Sequence, residues 1–263
     1  MRRRVMKIQD QINRTIEIPR PPDRILSLVP SITELLIDLG LEQQMAGRTR
    51  FCIYPEGKVR HIPVIGGVMG LNKHEIHKIG PDLILASKEE NAKNEILDLA
   101  KHYPVWVSNV HDLEGALKLI EAIGQMCDRA ERAAGLKERI QKAFEGLNHI
   151  PAGVIRAVYL VWNEPLYTIN RTTFIHDMLT RCGIENVFAD KKEAYPVISE
   201  KEIRERKPDF IFLPNEPYFF KESHRRKFAE AFPQAEIKRV QGEYFTWYGS
   251  HLLEAPSYFK QLF

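Results

Sequence analysis

KIGPDLILAS, residues 78–87, and ERKPDFIFLP, residues 205–214, are the two stretches on which the fold turns. Each reads as the end of a helix, a Pro-Asp turn and a buried strand. Proline stops the helix because it has no amide hydrogen and its ring clashes with the preceding turn. The run after Asp82 or Asp209 shows no polar alternation, as expected of a parallel strand covered on both faces. The copies fall in opposite halves of a 263-residue chain, 44% of it hydrophobic. That is enough for two lobes of ordinary size, each with a core. One copy per half predicts two similar lobes.

Working outward, short apolar runs alternate with amphipathic stretches from Asp23: RILSLV, SITELLIDLG, MAGRT, DLILAS, a helical stretch from Asn91 to His102, then VWV. This alternation predicts an α/β chain with mainly parallel sheets. Ser31 with Glu34 three residues on predicts a capping box, and Gly40 closes that helix after its last apolar position. Ala130, Ala133, Leu136 or Lys137, Ile140, Phe144 and Leu147 recur at helical spacing, which predicts one long helix from Asp128 to Asn148. Asp128 and Glu131 form a second capping box at its start, and Pro151 with Gly153 marks its exit. The α/β pattern then resumes with RAVYLVW, a helix near Phe174 to Thr180, ENVF, a helix from Glu200 to Arg206, DFIFLP and a last strand near Ile237 to Val240. The expected organisation is an N-terminal α/β lobe over 1–125, a connecting helix over 126–150 and a C-terminal α/β lobe over 151–263. Two Rossmann-like lobes joined by one backbone helix leave a cleft at the carboxyl ends of their sheets, where open α/β sheets bind ligands.

Composition excludes several classes. Thirty-eight Lys plus Arg against 35 Asp plus Glu leave a net charge of +3, too small to argue for nucleic acid as partner. Cys52, Cys127 and Cys182 are odd in number and lack C-x-x-C spacing, so neither a disulfide framework nor a thiolate zinc site is expected. The opening MRRRVMKIQDQINRTIEIPRPPDR has a basic start but polar residues where an export signal needs an apolar run. As written, the chain is expected in the cytoplasm, and in the periplasm if the start is truncated. No segment approaches the roughly 18 consecutive apolar residues of a membrane span.

The common catalytic motifs are absent: no G-x-S-x-G, no Walker loop, no G-x-G-x-x-G after a strand, no H-E-x-x-H. VIGGVMGLN, residues 64–72, lacks the Lys-Ser or Lys-Thr that would handle a nucleotide phosphate and reads as a tight turn. His74 and His77 are two ligands where structural zinc needs four, and Cys52 reads as a small buried thiol. No catalytic residue, resident metal or built-in cofactor is expected, so the chain reads as a binding protein rather than an enzyme. The positive signal is aromatic. Phe51, Tyr54, Trp162, Tyr195 and the group Tyr244, Phe245, Trp247 and Tyr248 fall at predicted strand exits, as a lining for a large flat or greasy ligand would. Arg48, Arg50 and Arg171 stand near the same exits, either to meet ligand carboxylates or phosphates or as plain surface arginines.

Taken in order, RILSLVPSITELLIDLG, GRTRFCIYP, VIGGVMGLN, KIGPDLILAS with Asn91, the long middle helix, GIENVF, YPVISEKEI and RKPDFIFL resemble the cobalamin and ferric-siderophore substrate-binding proteins of bacterial ABC importers. The resemblance runs from about Asp10 to about Leu213, and NRTIEIPRPPDRI is similar to the family's leading β-hairpin. It implies two lobes on a rigid connecting helix, a monomer, and a ligand that is a metal chelate or tetrapyrrole-like: cobalamin, a ferric siderophore or haem. It places Ser31, Phe51, Val68, Lys88, Trp162, Tyr195, Glu243 and Tyr244 around that ligand; Arg50 and Trp247 join the candidate set by position and composition. Val68 and the Ser87-Lys88 pair stand where the cobalamin-binding member has tryptophans, and FTWYGSHL, residues 245–252, has no clear counterpart there. Two other readings use the same scaffold: a cytosolic chaperone or sensor for such a ligand, and an enzyme or metal-insertion protein. The latter would rest on His176 with Asp177, or on Glu164. The resemblance also implies an ABC permease partner that docks onto one acidic residue per lobe. Those places hold His74 and Lys201 here, with Glu75 and Glu202 beside them, so an ordinary docking is not expected.

Overall fold

The computed structural model describes residues 4–67, 70–147 and 155–262. It divides into two compact units, the first made of Met1–Val110, Glu114–Ile140 and Trp247–His251, the second of His111–Leu113, Gln141–Thr246 and Leu252–Phe263.

The first unit opens with an antiparallel pair, β1 (Arg4–Gln9) and β2 (Thr15–Arg20). Its main elements follow as β3 (Ile25–Ser27), α1 (Pro30–Asp38), β4 (Met45–Arg48), α2 (Glu56–Val59), α3 (Lys73–Ile79), β5 (Leu83–Ser87), α4 (Lys93–Leu99), β6 (Val105–Ser108) and α5 (Leu113–Met126). A helix α6 (Ala130–Glu145) carries the chain from one unit's residues into the other's. The second unit contains β7 (Ile155–Tyr159), α7 (Phe174–Arg181), β8 (Ile184–Asn186), α8 (Glu200–Arg206), β9 (Phe210–Pro214), α9 (Glu222–Ala231), β10 (Glu236–Val240), α10 (Glu243–Thr246) and α11 (Ala255–Phe259).

Both main sheets are four-stranded and parallel, ordered β4-β3-β5-β6 and β8-β7-β9-β10. By sequence each runs second, first, third, fourth, so the two units share one topology. Each switch point lies beside the first strand, where it meets the third. The third strand is β5 in one unit and β9 in the other, and these are the strands of the repeated KIGPDLILAS and ERKPDFIFLP.

The repeat holds atom by atom. Helix α3 ends at Gly80 in the left-handed conformation (φ 58°), whose amide donates to the Ile76 carbonyl at 3.0 Å. Helix α8 ends the same way at Lys207 (φ 47°), whose amide donates to the Ile203 carbonyl at 3.2 Å. Pro81 and Pro208 follow, both buried. The Asp82 carboxylate then accepts the amides of Asp23 at 3.0 Å and Arg24 at 2.8 Å, and its own amide donates to the Arg24 carbonyl at 3.0 Å. In the second unit Asp209 accepts the Arg156 amide at 2.8 Å and returns its amide to the Arg156 carbonyl at 2.7 Å. The aspartate of each Pro-Asp turn thus clamps the start of the third strand to the start of the first.

Around these sheets apolar side chains close separate cores. Leu26, Leu28, Ile76, Ile84, Ile96, Val105 and Val107 pack in the first unit. Val158, Leu160, Ile203, Ile211, Leu213, Phe220, Phe228 and Phe232 pack in the second. The helical spacing read along α6 is its buried stripe from Ala133 onward: Ala133, Leu136, Ile140 and Phe144 are all buried, as is Leu147 just beyond it, whereas Ala130 at the helix start is exposed. All three cysteines are free and buried, and burial pushes the Cys127 thiol up to about 12 and raises those of Cys182 and Cys52.

Three sequence expectations need correction. Ser31 does not cap α1: Pro30 takes the first helical position, Val29 is the flanking residue with no side-chain cap, and Ser31 already lies inside the first turn. Proline is preorganised for that first position, so it moves the boundary two residues earlier. Asp128 does not cap α6 either, because its φ of 58° puts it in the left-handed region and the helix begins at Ala130. Residues 113–126, assigned no element from sequence, form α5. Pro151 and Gly153 lie outside the described residues.

Two substitutions test the repeat. A non-glycine residue in the left-handed region is strained, so Lys207→Gly is expected to stabilise the chain by about 0.5–1 kcal/mol in urea unfolding. Asp209→Ala leaves the Arg156 amide without its carboxylate and is expected to cost about 1–2 kcal/mol. An unchanged midpoint for Asp209→Ala would show the clamp to be dispensable.

Candidate functional site

In the first unit the loop after β4 folds around an inward thiol. The Cys52 sulfur lies 3.2 Å from the Thr49 hydroxyl and 3.9 Å from the Ser27 carbonyl, fully buried. With Cys52 pointing in, Phe51, Ile53 and Tyr54 are left exposed on the outer side, near exposed Val64. Large apolar groups held in water on one short loop form a patch that needs a function to explain it. Arg50 is exposed beside them, its guanidinium carbon 6.0 Å from the Phe51 ring centre. Arg48 is instead structural: it is buried and donates to the Val59 and Thr49 carbonyls at 2.9 and 3.3 Å.

The carboxyl ends of β3 and β5 are stitched together by Asn91, whose side chain accepts the Ser87 amide at 2.8 Å and donates to the Leu28 carbonyl at 3.3 Å. Lys88 follows β5 and is exposed, its amide bonded to the Ser108 carbonyl at 2.9 Å. Ser31 is 2% exposed. Val68 lies outside the described residues. The glycine-rich stretch turns back on itself through an antiparallel bridge from Gly66 to Leu71.

In the second unit the chain leaving β7 makes a small antiparallel patch of its own. Trp162 pairs with Tyr167, and Tyr167 with Val197; the ladder is held by Val161 and Tyr167 amides on one side and Thr168 and Ile198 amides on the other. Directly opposed residues in an antiparallel ladder, and residues two apart on one strand, share a face. Trp162, Tyr167 and Val197 therefore stand together, Trp162 and Val197 exposed and Tyr167 partly buried, with exposed Tyr195 in the bend just before Val197. Trp162 is 45% exposed, whereas Trp106 and Trp247 are 1% and 7% exposed. Its ring meets Tyr218 edge-on at 5.1 Å. Arg171 donates to the Ala189 carbonyl at 2.9 Å.

Of the remaining candidates, Glu243 accepts the Asn215 side-chain amide at 2.9 and 3.0 Å, and the same asparagine accepts the Gly242 amide at 2.6 Å. Tyr244 stacks on Tyr258 with ring centres 4.3 Å apart. Trp247 is buried against Tyr54 and His251 in the first unit. Sequence reasoning missed Ile53, Val64, Tyr167 and Val197 as members of the exposed faces. The alternation of Cys52 between Phe51 and Ile53 was the available signal for the first, but the pairing of 162, 167 and 197 is not local and leaves none.

The titratable groups that an enzyme reading would use are engaged elsewhere. Asp177 is paired with Arg181 at 2.7 Å and accepts the Leu113 amide at 2.8 Å. His176, its proton affinity lowered chiefly by burial, faces Thr180 and the Asn186 amide. Glu164 is exposed, 4.0 Å from Lys227. Among the described residues no three His, Cys, Asp or Glu side chains converge as metal ligands.

Comparison with known proteins agrees with this architecture. A family described as periplasmic binding proteins matches residues 25–235. A vitamin B12-binding protein of Pectobacterium carotovorum is 26% identical over 204 residues, which span 74% of this chain and 72% of that protein. The solved structure of a possible iron-binding, periplasmic solute-binding protein from Staphylococcus epidermidis superposes with a TM-score of 0.78 at 25% identity, covering 92% of this chain and 98% of that one. A periplasmic haem-binding protein of Pseudomonas aeruginosa shares the fold, with a TM-score of 0.76 at 17% identity over 92% of each chain. With the matched span covering both repeated strands and the greater part of the sequence, this chain belongs to the periplasmic binding protein family.

Proposed function

We propose that this chain is a receptor for a metal chelate or tetrapyrrole-like ligand, a cobalamin, a ferric siderophore or haem, delivered for ABC import. The carrying observation is the exposed aromatic face on each unit: Phe51, Ile53 and Tyr54 on one, Trp162, Tyr195 and Val197 on the other. Flat rings gain most from such faces, and the relatives bind vitamin B12, iron and haem by their names. The nearby cations Arg50 and Lys88 suit ligand carboxylates. In this reading 126–150 is the connecting segment and helix α6 its backbone, limiting motion on binding to a small hinge. No catalytic step is assigned: Asp177 is tied to Arg181 and the Leu113 amide, and His176 faces Thr180 and Asn186.

The site of action in this reading is the periplasm, as in the relatives so named; the cytoplasmic reading of the opening residues finds no support in them. Among the described residues no helix is long and apolar enough to cross a membrane. Docking to a permease would meet exposed His74 and Lys201. Glu202 beside Lys201 is already spent: Lys191 at 2.5 Å and the Ser199 amide hold its carboxyl down at about 2. A basic partner patch would thus meet Lys201, whose own carboxylate neighbour is the exposed Glu205 at 3.8 Å, and bear part of the like-charge cost.

Thermal shift of the purified protein against cyanocobalamin, haemin, ferrichrome and free divalent metals tests the ligand class. One of the chelates at 100 times its dissociation constant is expected to add about 2.7 kcal/mol of stability, and a shift with none of them removes the reading. Trp162→Ala is expected to weaken the responding ligand by about 1–3 kcal/mol in calorimetry with little change in melting temperature. Unfolding of that variant instead would make Trp162 a structural residue.

A further inference from the structure

The chain returns to the first unit for five residues, Trp247–His251, of which Trp247, Tyr248 and His251 make side-chain contacts that fasten it there. The Tyr248 hydroxyl, buried at the carboxyl end of the first sheet, lies 3.2 Å from Glu90 and 3.4 Å from the Ser108 hydroxyl that ends β6. A side chain at Gly249 would stand 3.0 Å from the Ser31 carbonyl, so the backbone rests directly on the first turn of α1. His251 Nδ1 lies 3.3 Å from the Glu34 carboxylate on the same helix. The Trp247 ring packs against His251, with centres 5.2 Å apart, and meets Tyr54 edge-on at 5.9 Å. Trp247 is buried and Tyr54 is about half exposed.

We propose that Trp247–His251 is the positioning element of the first unit's ligand face, with Trp247 holding the Tyr54 ring in the orientation from which it meets ligand. This rests on the reading of that face as a ligand surface. Tyr54 closes a loop whose inward side chains are Thr49 and Cys52, and its own ring meets a partner from outside that loop, Trp247. Immobilising such a ring at the moment of binding costs conformational entropy, and a ring already fixed loses none. An edge-on aromatic contact supplies that fixation with a defined geometry. The latches from Tyr248 to β6 and from His251 to α1 transmit the rigidity of the sheet and helix to the ring. Trp247 itself need not touch ligand.

The test is a double-mutant cycle between Tyr54 and Trp247, read by calorimetric titration with cyanocobalamin, haemin and ferrichrome alongside Trp162→Ala. Tyr54→Ala and Trp247→Ala are each expected to raise the dissociation constant about three- to tenfold, and the double variant is expected to be no weaker than the worse single one. Trp247→Phe, which keeps a ring edge, is expected to retain most of the affinity, and Trp247→Leu carries the cycle should the alanine variant fail to fold. Additive losses, or a Trp247 variant that lowers the melting temperature while leaving the dissociation constant unchanged, overturn the proposal. Weakening by Trp162→Ala with an additive Tyr54–Trp247 cycle overturns this inference alone. Failure of the unaltered protein to bind any of the three probes overturns it together with the functional reading.

Discussion

The hydrogen bonds that clamp each Pro-Asp turn to the start of the first strand organise the rest of each unit. Through Asp82 and Arg24, and again through Asp209 and Arg156, the third strand is registered against the first at its amino end. A parallel pair has no hairpin to set its register, and a slip of one residue would turn every side chain to the opposite face. Once the register is fixed, the carboxyl ends of the two strands finish side by side, and the loops leaving them are brought together at the switch point. In the first unit Asn91 ties that edge, bonding to the ends of both β3 and β5. In the second a different pair of loops is tied: Asn215, after β9, bonds to Gly242 and Glu243, after β10.

Against that frame, the contrast in exposure among aromatics separates support from surface. Trp106, Tyr159, Phe188, Phe212 and Phe245 are fully or almost fully buried and serve the cores, while Phe51, Tyr54, Trp162 and Tyr195 are left in water. Exposing several large rings forfeits hydrophobic stabilisation worth roughly 1.5–3 kcal/mol for each full burial. The loops that bear them are nevertheless tightly specified, by a buried thiol in one unit and an antiparallel ladder in the other. A rigid scaffold that holds greasy groups outward keeps binding from having to order them.

The ionic groups tell a complementary story. Most pairs are surface contacts such as Lys73 with Asp98, whose carboxyl the lysine hydrogen bond holds at about 2, and such pairs add little to stability in water. A carboxylate already bonded to a neighbouring cation, as Glu202 is to Lys191, is less free to meet a second one.

The sequence by itself determined the α/β class, the parallel sheets, the repeated strand and the buried stripe of α6, because these follow from apolar periodicity and from proline and glycine, whose effects are local. It also brought Phe51, Trp162 and Tyr195 forward, since aromatic residues at strand exits are visible without coordinates. What it misjudged was also local in form but decided elsewhere. Ser31 and Glu34 have the spacing of a capping box, yet Pro30 claims the first helical position and the hydroxyl is buried. Trp247 and Trp162 look alike in sequence, and only tertiary packing buries the first against Tyr54 and leaves the second open. The face shared by Trp162, Tyr167 and Val197 depends on pairing across some thirty residues of chain. No window along the sequence contains that pairing, because side chains are brought to one face by hydrogen bonds between segments rather than by their order within one.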